Sequence, residues 1–266
     1  MRPIRKLIFM GILVFSLFNL SISENGISTD TKSVFAQQDN SVSNSVWTDK
    51  ADIVINDITK VIPQKYRYLN LNLNSFRNIM TAAPFEFTDR AVASPLIIEL
   101  PHPDGGMSKF YVTEYSMMEQ GLADQYPDMK TYNVKGIDDP YAVGKIDFTA
   151  FGFHAIVLTP NGDYFIDPLS MDNTENYISY FKSDYFSNQT FECLVTEVTE
   201  NTDLINSHNS DMTGQQLRTY RLACAATGEY TAFHGGTVAL GLAGIVTAIN
   251  RVNQVYERDL SVRMTL

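Results

Sequence analysis

The sequence predicts an α+β protein in which a strand-rich antiparallel domain precedes an incomplete β-α-β unit. Three observations favour this fold class. Runs of alternating apolar and polar residues, which have the two-residue period of a strand, recur through the middle of the chain. A long apolar pattern with helical spacing follows a pair of glycines, Gly235 and Gly236. Residues 260–266 then alternate once more, so that strand, helix and strand follow one another.

The first strand of the predicted unit is indicated by alternation at Tyr220, Leu222, Cys224 and Ala226. The helix follows, with apolar residues in steps of four and three on one face: Val238, Leu242, Ile245, Ile249, Val252 and Tyr256. Further apolar residues widen that face, so we expect the first half of the helix to be buried nearly all round. The second half is expected to be solvent-exposed on one side, which carries polar and charged residues: Asn250, Arg251, Asn253, Gln254, Glu257 and Arg258.

The second strand of the unit is predicted at residues 260–266 and would lie parallel to the first, through a right-handed crossover. A single parallel pair with one helix leaves most of its sheet and one covering layer missing. We therefore expect residues 217–266 to be the truncated amino-terminal part of a larger domain.

The middle of the chain predicts an antiparallel domain. A strand at Pro95–Leu100 is followed by a turn and a partner strand at Lys109–Tyr115. The clearest hairpin starts at Phe151, turns at Asn161-Gly162 and returns through Tyr164 and Ile166. A short helix capped by Asn74 or Ser75 is expected to run through Ile79.

The two ends of this domain are set by composition. Residues 24–46 are mostly polar and read as a flexible lead-in, so order is expected to begin at Trp47. Residues 200–216 are polar without an apolar period and predict a linker. The predicted strand-rich domain is therefore 47–199.

The amino terminus has the features of a secretory signal. Arg2, Arg5 and Lys6 precede the apolar run Leu7–Leu20, which is shorter than the roughly 20 residues that a membrane span needs. Cleavage after Ser23 gives a signal peptide at 1–23; cleavage after Ala36 and an uncleaved anchor are the alternatives. Export with no stable membrane span after cleavage is the expectation, and the protein is expected outside the cell.

Charge and composition narrow the possible partners. The 266-residue chain is 44% hydrophobic and 12% aromatic, which suffices for ordinary cores. Its formal net charge of −10 argues against nucleic acid and against an anionic membrane surface as partners.

The residues that could act in catalysis or bind a metal form no complete motif. The four histidines are His102, His154, His208 and His234, and none has another histidine three to five residues away, so no HExxH is present. His154 is expected to be a half-exposed sheet residue. Asp138, Asp139 and Asp163 are expected in turns. No catalytic, cofactor-binding or metal-binding residue is therefore assigned.

The two cysteines, Cys193 and Cys224, lie in a chain expected to be exported, where a disulfide is permitted. Cys224 falls on the inward phase of the predicted strand and is expected to be a small buried hydrophobe. Cys193, in the alternating run FECLV, has the pattern of a buried strand cysteine.

The chain from Trp47 to Leu266 also resembles a known family. The tail segments that carry the resemblance are Tyr220-Arg221-Leu222, Gly228-Glu229-Tyr230, Phe233-His234-Gly235-Gly236 and Arg251-Val252-Asn253 with Tyr256-Glu257-Arg258-Asp259-Leu260. They are similar to the opening of the catalytic domain in secreted bacterial reprolysin-like zinc metallopeptidases of the metzincin group. The middle resembles their propeptide, on segments that include Ile62-Pro63-Gln64-Lys65-Tyr66-Arg67 and Gly152-Phe153-His154.

The resemblance implies an enzyme precursor, or zymogen, whose full-length form hydrolyses protein or peptide substrates with zinc-activated water. The family's zinc motif, HExxHxxGxxH, does not occur in this chain, so neither ligand nor catalytic base is assigned and this chain alone is expected to be inactive. The resemblance further implies a propeptide that assists folding and covers its own catalytic domain. Cys193 is then a hypothetical zinc ligand in the latent state. The alternative function is a non-catalytic secreted β-rich binding or surface module.

Overall fold

The computed structural model describes residues 46–51, 63–185 and 216–266. All of them lie in one compact unit, residues 39–266. Several predictions from the sequence fall outside the described residues: the signal peptide at 1–23, the lead-in except for residue 46, nearly all of the linker at 200–216, Cys193 and His208.

Nine strands of the described residues form one antiparallel sheet, which we call the large sheet. The strands are β1 (Trp47–Asp49), β2 (Arg67–Leu71), β3 (Leu96–Pro101), β4 (Met107–Tyr115), β5 (Lys130–Gly136), β6 (Val143–Thr149), β7 (Gly152–Leu158), β8 (Tyr164–Ser170) and β9 (Asn173–Phe181). Their spatial order is β1-β2-β9-β8-β7-β6-β5-β4-β3. Three short helices accompany the sheet: α1 (Leu73–Met80), α2 (Asp89–Ala93) and α3 (Gln120–Ala123).

The large sheet curls until its two ends nearly meet. Arg67 on β2 donates a hydrogen bond of 3.2 Å to the carbonyl of His102, which follows β3. Ser179 on β9 donates one of 2.8 Å to the carbonyl of Pro101 at the end of β3. Because these contacts join opposite ends of the strand order, the sheet encloses an interior.

The interior is filled by apolar side chains from alternate strand positions and by α1. Ile146 and Phe148 on β6 are almost fully buried there, with Phe76 from α1. The rings of Trp47 and Phe153 pack edge to face at 5.7 Å between centroids. This arrangement confirms the predicted antiparallel pairing of the strands at 95–100 and 109–115 and the hairpin through Gly162, whose φ is 133°.

The tail contains the predicted strand, helix and strand. They are β10 (Arg218–Arg221), α5 (Val238–Leu260) and β11 (Val262–Thr265), with a short helix α4 (Gly228–Phe233) before α5. β10 and β11 pair in parallel, from Arg218 opposite Val262 to Arg221 opposite Thr265. Thr237 caps α5 by accepting a 3.2 Å hydrogen bond from the Leu240 amide, and Ser261 ends the helix in the left-handed conformation.

Three predictions about local structure are wrong. The first tail strand ends at Arg221, so Cys224 is outside it and is exposed as a free thiol. The loop that leads into α4 begins after Arg221. The Leu222 amide still donates a 2.8 Å hydrogen bond to the Thr265 carbonyl, and Cys224 lies beyond the paired residues. Helix α1 is capped by Asn72, two residues before the predicted cap, because its side chain reaches the Ser75 amide at 3.0 Å.

Candidate functional site

Helix α5 packs against β6 and β7 of the large sheet, and it does so through a small and polar face. The buried residues of that face are Ala243, Val246, Asn250, Asn253 and Gln254. The sequence prediction that the second half of α5 is solvent-exposed on this side is wrong for Asn250, Asn253 and Gln254, which are buried. Asn250 meets Asp147 and Tyr115 of the large sheet, whereas the Asn253 side chain exchanges two hydrogen bonds of 2.8 Å with the backbone of Met264 on β11.

The apolar stripe of α5 lies to one side of the polar face and is covered only in part. Leu242 and Ile249 pack in a second apolar cluster with Tyr115, Met117 and Met118 of the large-sheet region. Val238 at the start of the stripe is 77% exposed and Tyr256 near its end 39%. The expectation that the first half of α5 is buried nearly all round is therefore wrong.

Asp147 on β6 is the centre of the buried contact. Its side chain is 2% exposed. It accepts hydrogen bonds from the Thr247 hydroxyl at 2.7 Å and from the Asn250 amide group at 3.1 Å, both on α5. Asn250 in turn accepts a hydrogen bond from the Tyr115 hydroxyl. This chain of bonds joins two strands of the large sheet to the middle of the helix.

His154 lies opposite Asp147 in the register of β6 and β7. Its Nδ1 atom is 3.2 Å from the Asp147 carboxylate, and the side chain is 12% exposed rather than half-exposed as expected from the sequence. Burial raises the pKa of Asp147, but His154 and the bonds from Thr247 and Asn250 outweigh it, so the pKa is lowered below its ordinary value. The aspartate is therefore ionised at neutral pH.

Lys145 lies two residues before Asp147 on the same face of β6 and is 1% exposed. Its ammonium group is 2.9 Å from the Glu257 carboxylate of α5 and donates a 2.7 Å hydrogen bond to Asn133. It also lies 3.9 Å from the centroid of the Tyr115 ring. Burial lowers the pKa of Lys145 to about 8, against the opposing effect of Glu257.

Arg263 on β11 extends the charged contact. It pairs with Glu257 at 2.7 Å and forms a bidentate contact with Glu86, which precedes α2. Glu86 also accepts a 2.9 Å hydrogen bond from Asn133. One network of side chains therefore joins the large sheet, α5 and β11. Its five members are Lys145, Asn133, Glu257, Arg263 and Glu86.

Two further contacts hold the tail in place. Arg251 of α5 pairs with Asp167 on β8, and Asp167 also accepts a 2.8 Å hydrogen bond from the Tyr180 hydroxyl. The backbone of Leu266 donates to the Met117 carbonyl at 2.8 Å and accepts from the Glu119 amide at 2.7 Å. We call the whole contact between the large-sheet region and α5–β11 the polar interface.

The residues singled out in the sequence lie apart from one another. His102 packs between Tyr164 and Phe181 beside the β3–β4 turn, and His234 packs on Tyr230 after α4. Asp139 accepts a turn hydrogen bond from the Tyr141 amide, as expected, whereas Asp138 accepts one from the Lys109 amide on β4. Among the described residues, no group of three or more His, Cys, Asp or Glu side chains could hold a metal ion. These residues therefore do not fit a zinc site.

The members of the polar interface were not found by sequence reasoning. The one available signal was Lys145 and Asp147, two charged residues on one face of a strand whose other face is apolar. By length and composition α5 could also cross a membrane, but core helices satisfy the same test and the contacts of α5 are with the large sheet.

Comparison with known proteins gives one match. Residues 216–266 match the family model described as metallo-peptidase family M12B, reprolysin-like. No curated protein matches the chain, and no solved structure matches it. The matched residues are those of β10, α4, α5 and β11, and the match supports a metallopeptidase family for this part of the chain.

Proposed function

We propose that this chain is the amino-terminal portion of a secreted zinc metalloendopeptidase precursor. In this proposal the large sheet belongs to the propeptide, and residues 217–266 begin the catalytic domain. The observation that carries the proposal is that the family match covers the parallel β-α-β unit and nothing in the large sheet.

The open surfaces of the tail support a larger catalytic domain. Every residue of β10 is exposed, and the apolar stripe of α5 is only partly covered. Parallel sheets are normally covered on both faces and have more than two strands. Further strands beside β10 would bury these surfaces in the full-length enzyme.

Zinc would be held by residues other than those described here. Peptidases of the matched family are zinc-dependent in general, while the described residues supply no metal-binding group. The 266-residue chain is accordingly proposed to be inactive by itself. Cys193 lies outside the described residues, and its role in latency stays a hypothesis.

The test is a casein-cleavage assay on the product of the complete coding sequence and on the 266-residue chain. The complete product should cleave casein after processing, lose activity with a zinc chelator and regain it with added Zn²⁺. The 266-residue chain should show no turnover. Chelator-sensitive turnover by the 266-residue chain, or none by the processed complete product, would contradict the proposal.

The alternative is a non-catalytic exported module with a self-sufficient fold. Limited proteolysis distinguishes the two proposals. A truncated catalytic unit should be cut first within residues 217–238 while the large sheet persists, because every residue of β10 and Val238 at the start of α5 are exposed. A self-sufficient module should instead resist proteolysis throughout residues 217–266.

A further inference from the structure

A groove of about 830 Å³ lies on the outer face of the large sheet, between α2 and the last turns of α5. Its floor includes Tyr111, Lys135 and Val143, which are cross-strand neighbours in the register of β4, β5 and β6. Val92 of α2 and Arg258 of α5 lie on its two walls. The volume is in the range of small-ligand sites in proteins.

The two walls are fixed relative to each other by ion pairs. Arg263 pairs with Glu86, which precedes α2, and with Glu257 of α5. Asn133 of the floor donates a 2.9 Å hydrogen bond to Glu86 and accepts one of 2.7 Å from Lys145. Because these contacts are already made within the protein, the groove is preformed and a ligand need not pay for ordering it.

The groove has an unpaired polar group, the side-chain amide of Gln254 on α5. Gln254 lines the groove and is 6% exposed. Its amide forms no hydrogen bond within the described part of the chain, whereas Asn250 and Asn253 on the same helix are both paired. A buried amide without a partner is costly, and it offers a donor and an acceptor side by side. The peptide group of a ligand would satisfy both at once.

The charges of the groove favour an anionic ligand. The Glu257 carboxylate is held by Arg263 at 2.7 Å, and Arg258 pairs with its neighbour Asp259 at 2.7 Å. Lys135 on the floor is exposed and has no ion-pair partner among residues 46–51, 63–185 and 216–266. Its ammonium group is therefore available to a carboxylate.

The remaining lining of the groove is mainly apolar and exposed. Val92 is 86% exposed and Tyr111 is 40% exposed. Ala91, Pro95 and Val143 lie beside them in the lining. Exposed apolar side chains that cluster in a groove mark a binding site.

We propose that this groove binds the carboxyl-terminal end of a short peptide with apolar side chains. The apolar side chains pack on Tyr111 and Val92, the amide of Gln254 pairs with a peptide group, and Lys135 binds the terminal carboxylate. This binding site goes beyond the function proposed above, and it does not depend on whether the full-length protein is a peptidase.

The experiment titrates the full chain with three ligands in a calorimeter. The first is N-acetyl-leucylphenylalanine with a free carboxylate, the second is its uncharged carboxamide, and the third is decanoate, which has a carboxylate and an apolar chain but no peptide group. The free-carboxylate peptide should bind at one site with a dissociation constant below about 1 mM. The carboxamide should bind about fivefold more weakly, and decanoate about tenfold more weakly.

Two variants test the assigned contacts. Lys135→Met should weaken binding of the free-carboxylate peptide about fivefold and leave the carboxamide unchanged, because only the carboxylate meets the ammonium group. Gln254→Leu should weaken both peptides about tenfold without lowering the melting temperature, because the amide that it removes has no partner in the protein. The matched control Lys50→Met, on an exposed lysine outside the groove, should change neither affinity by more than about twofold.

Four results would overturn the proposal: no saturable binding of the free-carboxylate peptide in the millimolar range, equal binding of the carboxamide, tighter binding of decanoate, or equal effects of Lys135→Met and Lys50→Met. Sedimentation tests the other occupant, a second copy of the chain. A dimer that Val92→Asp converts to a monomer would show that the groove is a contact between two copies, and it would also overturn the proposal.

Discussion

Asp147 on β6 and Asn250 on α5, 103 residues apart in the sequence, are joined by a buried hydrogen bond of 3.1 Å. Neither residue belongs to an apolar pattern, yet both are almost completely buried. The bond lies at the centre of the polar interface, where the position of the tail is specified by charge and hydrogen bonding rather than by apolar packing alone.

Removing the Asp147 carboxylate should destabilise the tail. Asp147→Ala leaves the Thr247 and Asn250 donors without their acceptor, and we expect a loss of about 3 kcal/mol in the free energy of unfolding. Urea unfolding measures this loss. Asp172→Ala, on an exposed aspartate, should stay within about 0.5 kcal/mol of wild type. Equal midpoints for the two variants would show that the buried carboxylate contributes nothing.

The two partners of the Lys145–Glu257 pair should respond unequally to substitution. Lys145→Met removes a charge whose burial is costly, and Glu257 keeps its contact with Arg263, so we expect a change within about 1 kcal/mol in either direction. Glu257→Gln leaves Lys145 buried without its carboxylate and should cost about 3 kcal/mol. Urea unfolding of both variants tests the asymmetry, and a larger loss for Lys145→Met would refute it.

Because of the same lysine, the free energy of unfolding should increase as the pH rises above 8. Because burial lowers the pKa of Lys145 to about 8, the folded state releases this proton before the unfolded state does. Between pH 8 and the ordinary lysine value, the unfolded state therefore binds more protons and the contribution of Lys145 to stability rises with pH, by up to about 3 kcal/mol.

The stability of the protein at each pH also contains the contributions of every other titrating group of the chain, and the charged and polar groups nearest the lysine are Glu86, Glu257, Arg263 and Tyr115. The measurement is therefore the difference in unfolding free energy between wild type and Lys145→Met at several pH values. That difference should change in favour of wild type as the pH rises from 8 to 10. A difference that is flat with pH would mean that Lys145 keeps its proton.

Gly244 allows α4 and its following loop to approach α5. A Cβ atom at this position would lie 2.6 Å from the imidazole of His234, which is packed against Tyr230 and Phe151. Gly244→Ala should therefore cost about 1–3 kcal/mol by overpacking, despite the better helix propensity of alanine. Gly121→Ala, in α3 with open space around it, should be neutral or stabilising. Thermal unfolding of the two variants distinguishes them, and equal effects would exclude the predicted clash.

Much of the fold follows from local pattern. The hairpin of β7 and β8, the pairing of β3 with β4 and the helix beginning at Val238 were predicted because alternation, turn residues and helical spacing are local properties of the chain. Cys224 shows where this reasoning fails, since an alternating pattern continued beyond the last residue that hydrogen bonds to a neighbouring strand.

The sequence by itself indicated the hairpin of β7 and β8, the β3–β4 pair and the strand, helix and strand of the tail, because each of these segments carries the period of its own secondary structure. Only the tertiary structure decided that Asn250, Asn253 and Gln254 are buried rather than exposed to water. The physical reason is that a polar side chain is expected to be exposed to water unless the fold supplies a hydrogen-bonding partner for it. The partners of Asn250, which are Asp147 and Tyr115, lie more than a hundred residues away and meet it only when the large sheet has formed, and Asn253 finds its partner in the Met264 backbone only when β11 folds back along the helix.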